Sequence, residues 1–244
     1  MTTTQPVTSP DVGTALERLQ RGIKNLSHDP FLISELTKAS LPRAFWYYSH
    51  PRALTLALRM YRTLRPLHKQ RWFVGGLTLM EGLTIYALVR LSFPHIVLET
   101  GVANGVSSAY ILQALHDNGD GRLISIDLPA HTTQVIDHVL RNQTTGWLVP
   151  NEFREMWTLH LGDAKLLLPS LFDELSSIDI FFHDSDHSYE HMLWECSTAW
   201  SNLRIGGFLL VHDVNWHSAF LDFAASVGVK PHIQGNRLGI LRKS

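Results

Sequence analysis

His95-Ile-Val-Leu-Glu99-Thr-Gly101-Val-Ala-Asn-Gly105-Val-Ser107 decides the fold. It opens as a short apolar run ending in a carboxylate. Two glycines four apart follow at once, and Ser107 to Leu115 then carries a helical pattern. A buried strand, a tight turn and a helix in that order open a strand-helix-strand unit. The glycines let the backbone turn sharply and approach a ligand closely, with the N-terminus of the next helix behind them. The dinucleotide fingerprint G-x-G-x-x-G would also need glycine where this chain has Ala103 and Val106. By itself the turn is weak evidence, because any such junction can use one.

Outward from it the rhythm repeats. Arg122 to Asp127 reads as a second strand, Met156 to Leu161 as a third, Ile178 to Phe182 as a fourth and Gly207 to Val211 as a fifth. Helical segments separate them, notably Ala164 to Leu175 and Tyr189 to Leu203, and His232-Ile and Leu238 to Leu241 are the last strand candidates. The alternation predicts an α/β fold with a doubly wound, mostly parallel sheet. Upstream, Val12 to Val89 reads as helical, punctuated by Pro42, Pro51 and Pro66, after a frayed Thr/Pro-rich start. Residues 1–91 are therefore expected to form an N-terminal helical cap or oligomerisation segment, and residues 92–244 the ligand-binding domain.

Composition excludes several classes. Over 244 residues, 45% are hydrophobic and 18% charged, which rules against disorder, collagen and coiled coil. The single cysteine, Cys196, excludes a disulfide framework and a multi-cysteine metal cluster, and it reads as buried and inert. A net charge of -1 gives no general reason to expect nucleic acid. It conceals an asymmetry, however: residues 1–91 carry a net +7 and the remainder -8. Arg52, Arg59, Arg62, Arg65, Lys69 and Arg71 form a run without one acid, read as a solvated face, an oligomer contact or an anion site. The start MTTTQPVTSP has neither a basic nor an apolar export region, so the cytoplasm is the expected location. Trp72 to Val89 approaches spanning length, but Glu81 at its centre makes it a buried helix rather than a membrane span.

In doubly wound sheets ligands bind beyond the carboxyl ends of the strands. Asp127 ends the second strand, where a carboxylate can accept both ribose hydroxyls of a nucleoside. Gly162-Asp163-Ala164 ends the third, with Asp163 either a ligand contact or a plain helix N-cap. These blocks, with Asp184-Ser-Asp-His187-Ser-Tyr-Glu190 and Gly206-Gly207-Phe-Leu-Leu-Val-His212-Asp213, resemble the class I S-adenosylmethionine-dependent methyltransferases. The branch resembled is that of small-molecule and sugar O-methyltransferases with a D-x-D-H-S-Y-E motif, over about residues 94–241. The resemblance implies a Rossmann-like domain and roles for matching positions. Gly101, Gly105 and Ser107 would lie on the methionine portion of the cofactor, and Glu99 would orient its amino group. Asp127 would hold the ribose, and Asp163 with Ala164 would meet the adenine.

For the chemistry itself the residues leave alternatives. Asp184 and Asp213 both follow strands, so they share one rim, and paired carboxylates there commonly hold Mg²⁺ or another divalent cation. With His212 they form a candidate metal set, although imidazole suits magnesium poorly. His187, three residues after Asp184, is a candidate general base, since its ordinary pKa suits removal of a hydroxyl proton near neutrality; the bland reading is a helix-start histidine bonded locally. The four-residue spacing of His183, His187 and His191 reads as coincidence, because His183 belongs to the strand end. Trp46-Tyr47-Tyr48 and Trp216-His217 line either an acceptor pocket or the core. The expected function is S-adenosylmethionine-dependent O-methylation of a small hydroxylated acceptor, a sugar or natural-product intermediate, by a homo-oligomer with no nucleic-acid or membrane partner. The rivals are a metal-dependent hydroxylase-like enzyme on the same fold and a non-catalytic cofactor-binding protein.

Overall fold

The computed structural model describes residues 29–64, 66, 76–130, 139–140 and 142–244. Upstream of the sheet lie helices α1 (29–37), α2 (Leu41–Tyr48), α3 (Pro51–Leu64) and α4 (Leu79–Ser92). Strands and helices then alternate: β1 (Ile96–Thr100), α5 (Val106–Asn118), β2 (Arg122–Asp127), β3 (Trp157–Leu161), α6 (Ala164–Glu174), β4 (Ile178–His183), α7 (Tyr189–Asn202) and β5 (Leu203–Val211). The chain continues through α8 (Ala219–Ser226), β6 (His232–Gln234) and β7 (Leu238–Arg242).

The seven strands lie in the order β3-β2-β1-β4-β5-β7-β6. β1 to β5 are mutually parallel, whereas β7 runs antiparallel to both β5 and β6. The expected doubly wound, Rossmann-like sheet is therefore present, closed on one side by an antiparallel hairpin. The order reverses between β1 and β4, which places the ligand crevice of such a sheet there. β5 begins at Leu203, four residues earlier than its apolar run suggests: Leu203 already pairs with Ile178 of β4, and the register shifts beyond it, where Gly206 has φ +82°.

β1 and β4 are buried along nearly their whole length, as strands covered on both faces must be. One apolar layer sets Leu36, Tyr48 and Met60 of the N-terminal helices, with Leu83 and Leu88 of α4, against Val97, Ile180 and Leu210 of the sheet. The other packs α6, α7 and α8 on Leu98, Phe181 and Leu209. α4 is buried all round from Glu81 to Val89 and starts with a reciprocal cap, in which Thr78 and Glu81 each accept the other's backbone N–H. No described helix is long and apolar enough to cross a membrane.

The N-terminal helices are joined to the sheet by polar ties as well. Asp29 accepts hydrogen bonds from Tyr48 and from Gln234 of β6, each at 2.7 Å. Asp117 of α5, its side chain only 2% exposed, receives Arg52 at 2.5 Å and Tyr86 at 2.6 Å. Arg52 thus leaves the basic run as an ion-pair partner; Arg59 and Arg62 are exposed on α3, and Arg65, Lys69 and Arg71 lie outside the described residues. So do the Thr/Pro-rich start and residues 72–75 of the expected apolar helix.

Candidate functional site at the sheet switch point

The turn after β1 is held from three sides. Gly101 (φ +82°) and Gly105 (φ +88°) adopt left-handed backbone that residues with a Cβ avoid. Space forbids a side chain as well. A Cβ on Gly101 would lie 2.0 Å from the carbonyl oxygen of Asp184, and one on Gly105 would lie 2.8 Å from Gly146 Cα. The glycines therefore serve close backbone packing in this structure, against the loop after β4 and against the segment around Gly146. Asp127 completes the clamp: its Oδ2 accepts the backbone N–H of Val102 (3.1 Å) and Ala103 (2.7 Å). The carboxylate expected to meet a ribose is thus also the group that shapes the turn.

Glu99 lies beneath the turn with no exposed surface. Ser107 donates to its Oε1 at 2.5 Å, and Ser108 and Ser125 to its Oε2 at 2.6 and 2.7 Å. Burial pushes its pKa up to about 7, against the pull of the three hydroxyls. Ser107 is accordingly a partner of Glu99. Asp163 caps α6 by accepting the N–H of Lys165 at 2.8 Å, with Ala164 as the first helical residue, so the N-cap reading holds for it.

On the other side of the crevice, β4 and β5 bring together Asp184, His187, His212 and Asp213. His187 Nε2 is 3.6 Å from Asp184 Oδ1 and 3.7 Å from Asp213 Oδ2, too far for hydrogen bonds to either. Burial is the largest influence on His187 and lowers its pKa, which keeps the ring neutral. His212 is the opposite case. Burial opposes its charge, yet Asp184 at 2.9 Å, Glu81 at 3.5 Å and Asp213 at 3.7 Å push its pKa up to about 10. Asp213, itself at φ +53°, takes the Nε–H of Arg237 at 2.7 Å.

These pairings bear on the expected metal set of Asp184, His212 and Asp213. The three side chains do meet. However, His212 Nδ1 faces Asp184 Oδ1 at 2.9 Å and Arg237 Nε donates to Asp213 Oδ1 at 2.7 Å, so these side chains are turned to each other and to Arg237 rather than to a shared cation. Among the described residues no group of three or more His, Cys, Asp or Glu side chains is arranged to hold a metal ion. In this arrangement the residues do not fit the metal.

Trp216 stands at the mouth, 62% exposed, with its ring 4.9 Å from that of His187. His217 donates to the carbonyl of His187 at 2.7 Å and so fastens the loop after β5 to the loop after β4. The other aromatic cluster divides: Tyr48 is buried on Asp29, Tyr47 lies against Arg90 and Trp46 is exposed.

Two residues in this region went unread in the sequence. Arg237 comes from the turn between β6 and β7 and carries no motif. Glu195 of α7 has no exposed surface and bonds to His183, His191, Thr100 and Ser185. A signal did exist for it, since Glu195 directly precedes Cys196 on the buried stripe Met192, Cys196 and Ala199 of an amphipathic helix. His183 and His191, whose spacing suggested nothing, meet on this carboxylate.

With the geometry in place, residues 98–214 match a family model described as a methyltransferase domain. No curated protein matches the chain. The fold is similar to that of the methyltransferase PaMTH1 of Podospora anserina, bound to S-adenosylhomocysteine, at TM-score 0.57 and 14% identity over 98% of this chain and 100% of that one. It is also similar to the O-methyltransferase TomG of Streptomyces achromogenes, involved in tomaymycin synthesis and solved with S-adenosylmethionine, at TM-score 0.54 and 17% identity over 78% and 90%. An O-methyltransferase of Bacillus cereus in complex with S-adenosylhomocysteine gives 0.55 and 12% over 78% and 91%.

Proposed function

We propose that this chain, whose residues 98–214 match a methyltransferase-domain model, transfers the methyl group of S-adenosylmethionine to a hydroxyl of a small molecule, a sugar or natural-product intermediate. The observation that carries the proposal is His187, a half-buried imidazole whose pKa is lowered by its surroundings, between Asp184 and Asp213 at the switch point. The turn from Gly101 to Gly105 and Asp127 would take the methionine and ribose portions, with Asp163 and Ala164 toward the adenine. Bound there, the cofactor supplies an electrophilic methyl carbon. His187 would take the acceptor's hydroxyl proton at Nε2, while Asp184 and Asp213 on either side stabilise the imidazolium that forms. Alignment of oxygen with methyl carbon would provide most of the acceleration. The exposed face of Trp216 gives an acceptor ring a surface on which to stack. Residues 1–91 would close over the acceptor and exclude water, assisted by a second subunit in a cytoplasmic oligomer.

The test is methyl transfer from radiolabelled S-adenosylmethionine across a panel of hydroxylated sugars and phenols. His187→Ala should lower kcat by roughly 10² to 10⁴ and leave S-adenosylhomocysteine binding within a factor of about three. Excess chelator should leave turnover intact. Full activity of His187→Ala refutes the base assignment; turnover abolished by chelator refutes the metal-free reading.

A further inference from the structure

Glu195 is a buried charge with more directed partners than packing requires. Its neighbours on the same helix face, Met192, Cys196 and Ala199, already bind α7 to the sheet by apolar contact. Replacing a buried ion by apolar groups is often neutral or stabilising, so a retained one calls for a reason beyond stability. Burial alone would raise the Glu195 carboxyl; the charge and hydrogen bond of His183, with bonds from His191 and Thr100, outweigh it and hold the pKa far below the ordinary range.

The partners say what the charge does. On Oε2 it receives Thr100 Oγ1 at 2.5 Å and His183 Nδ1 at 2.6 Å; on Oε1, Ser185 Oγ at 2.9 Å and His191 Nε2 at 2.8 Å. Thr100 ends β1, next to Gly101. His183 ends β4, and Ser185 lies two residues before His187. The ring of His183 stands edge-on to that of His187, centroid to centroid 5.7 Å. One carboxylate thus grips the root of the glycine turn and the root of the loop that carries the proposed base. Apolar packing sets the distance between such layers, but directional hydrogen bonds set their register.

We infer that Glu195 is a positioning residue that locks the turn after β1 and the loop after β4 in a single register, aligning methyl donor and base. The inference rests on the proposed methyl transfer, but its test needs no acceptor. In Glu195→Gln one acceptor oxygen becomes a donor facing Ser185 and His191. In the ligand-free protein, amide hydrogen exchange across residues 101–105 and 184–188 should quicken at least tenfold while exchange in β5 stays unchanged, and S-adenosylhomocysteine should bind about tenfold more weakly by calorimetry. Unchanged exchange in both loops, or quickening in step with β5, overturns the inference and leaves a purely structural role. If Glu195→Gln does not fold, Thr100→Val and Ser185→Ala each remove a single tie; loosening of 101–105 in the first and 184–188 in the second supports the inference, and loosening in neither overturns it. Failure of the wild-type protein to bind S-adenosylhomocysteine would defeat the proposed function, while the exchange comparison would still decide the role of Glu195.

Discussion

Replacing Glu99 by glutamine should change how stability depends on pH. Glu99 is a carboxyl with no exposed surface, surrounded by the hydroxyls of Ser107, Ser108 and Ser125, and burial lifts its pKa from 4.5 to about 7. Between those values the folded chain holds a proton that the unfolded chain releases. The associated stability is therefore fully present below pH 4.5 and lost as pH rises through about 7. The difference corresponds to about 3 kcal/mol. Glutamine resembles the protonated acid in shape, and because serine hydroxyls both donate and accept, Ser108 and Ser125 can turn to accept the two N–H groups of an amide nitrogen in place of Oε2. Glu99→Gln should thus lie within about 1 kcal/mol of the wild type at pH 5 and exceed it at pH 8 by about 3 kcal/mol, or about 6–12 °C in Tm. The measurement is thermal unfolding of both proteins from pH 5 to pH 8. The difference between the curves is what counts, since all other titrating groups are shared. A constant difference across that range would refute the reasoning and mean that Glu99 is ionised in its pocket throughout.

Three further outcomes follow from the geometry. Gly101→Ala and Gly228→Ala share a left-handed backbone but differ in space, because a Cβ at 228 meets nothing within 4 Å. Gly228→Ala should cost about 1–2 kcal/mol of strain, whereas Gly101→Ala should lose soluble folded protein or all S-adenosylhomocysteine binding; equal melting temperatures for the two would contradict the clamp at Asp184. Asp127→Ala removes the acceptor for the Val102 and Ala103 amides, and calorimetry should show cofactor affinity reduced by about 1.5–3 kcal/mol; an unchanged affinity would dissociate Asp127 from the cofactor turn. Asp117→Asn should lower stability by about 1–2 kcal/mol at neutral pH. Arg52 and Tyr86 outweigh burial and hold this carboxyl below its ordinary range, so the penalty should fade as acid protonates the wild type; a penalty unchanged in acid would mean that the charge plays no part.

The sheet was legible because its central strands are apolar runs stopped by glycine or aspartate, as at Thr100-Gly101 and His183-Asp184. What periodicity could not supply was strand direction: Leu238 to Leu241 reads as a strand, but only its short turn from β6 makes it antiparallel. α8 went unread because eight residues barely exceed two helical turns and follow a Trp-His-Ser stretch without a strong start signal. The rim residues Asp184, His187, His212 and Asp213 were found because position just past a strand end is itself a sequence property. Their electrostatic roles were not, because these depend on Arg237 and Glu81, which reach the rim from distant segments. The histidine expected to bind metal is thereby a cation, while its neighbour at 187 stays neutral.

The tie from Asp29 to Gln234, together with Arg237 on Asp213, joins the two ends of the described chain around the site. A guanidinium of the final hairpin must arrive before the rim acquires its charge balance. Contacts so distant along the sequence close a long loop, and they belong among the slow steps of assembly. During synthesis the residues proposed for donor binding emerge from the ribosome well before Arg237 does. Until then Asp213 has no guanidinium opposite it. Until the final hairpin docks, the rim thus lacks its charge balance and β5 lacks its antiparallel neighbour.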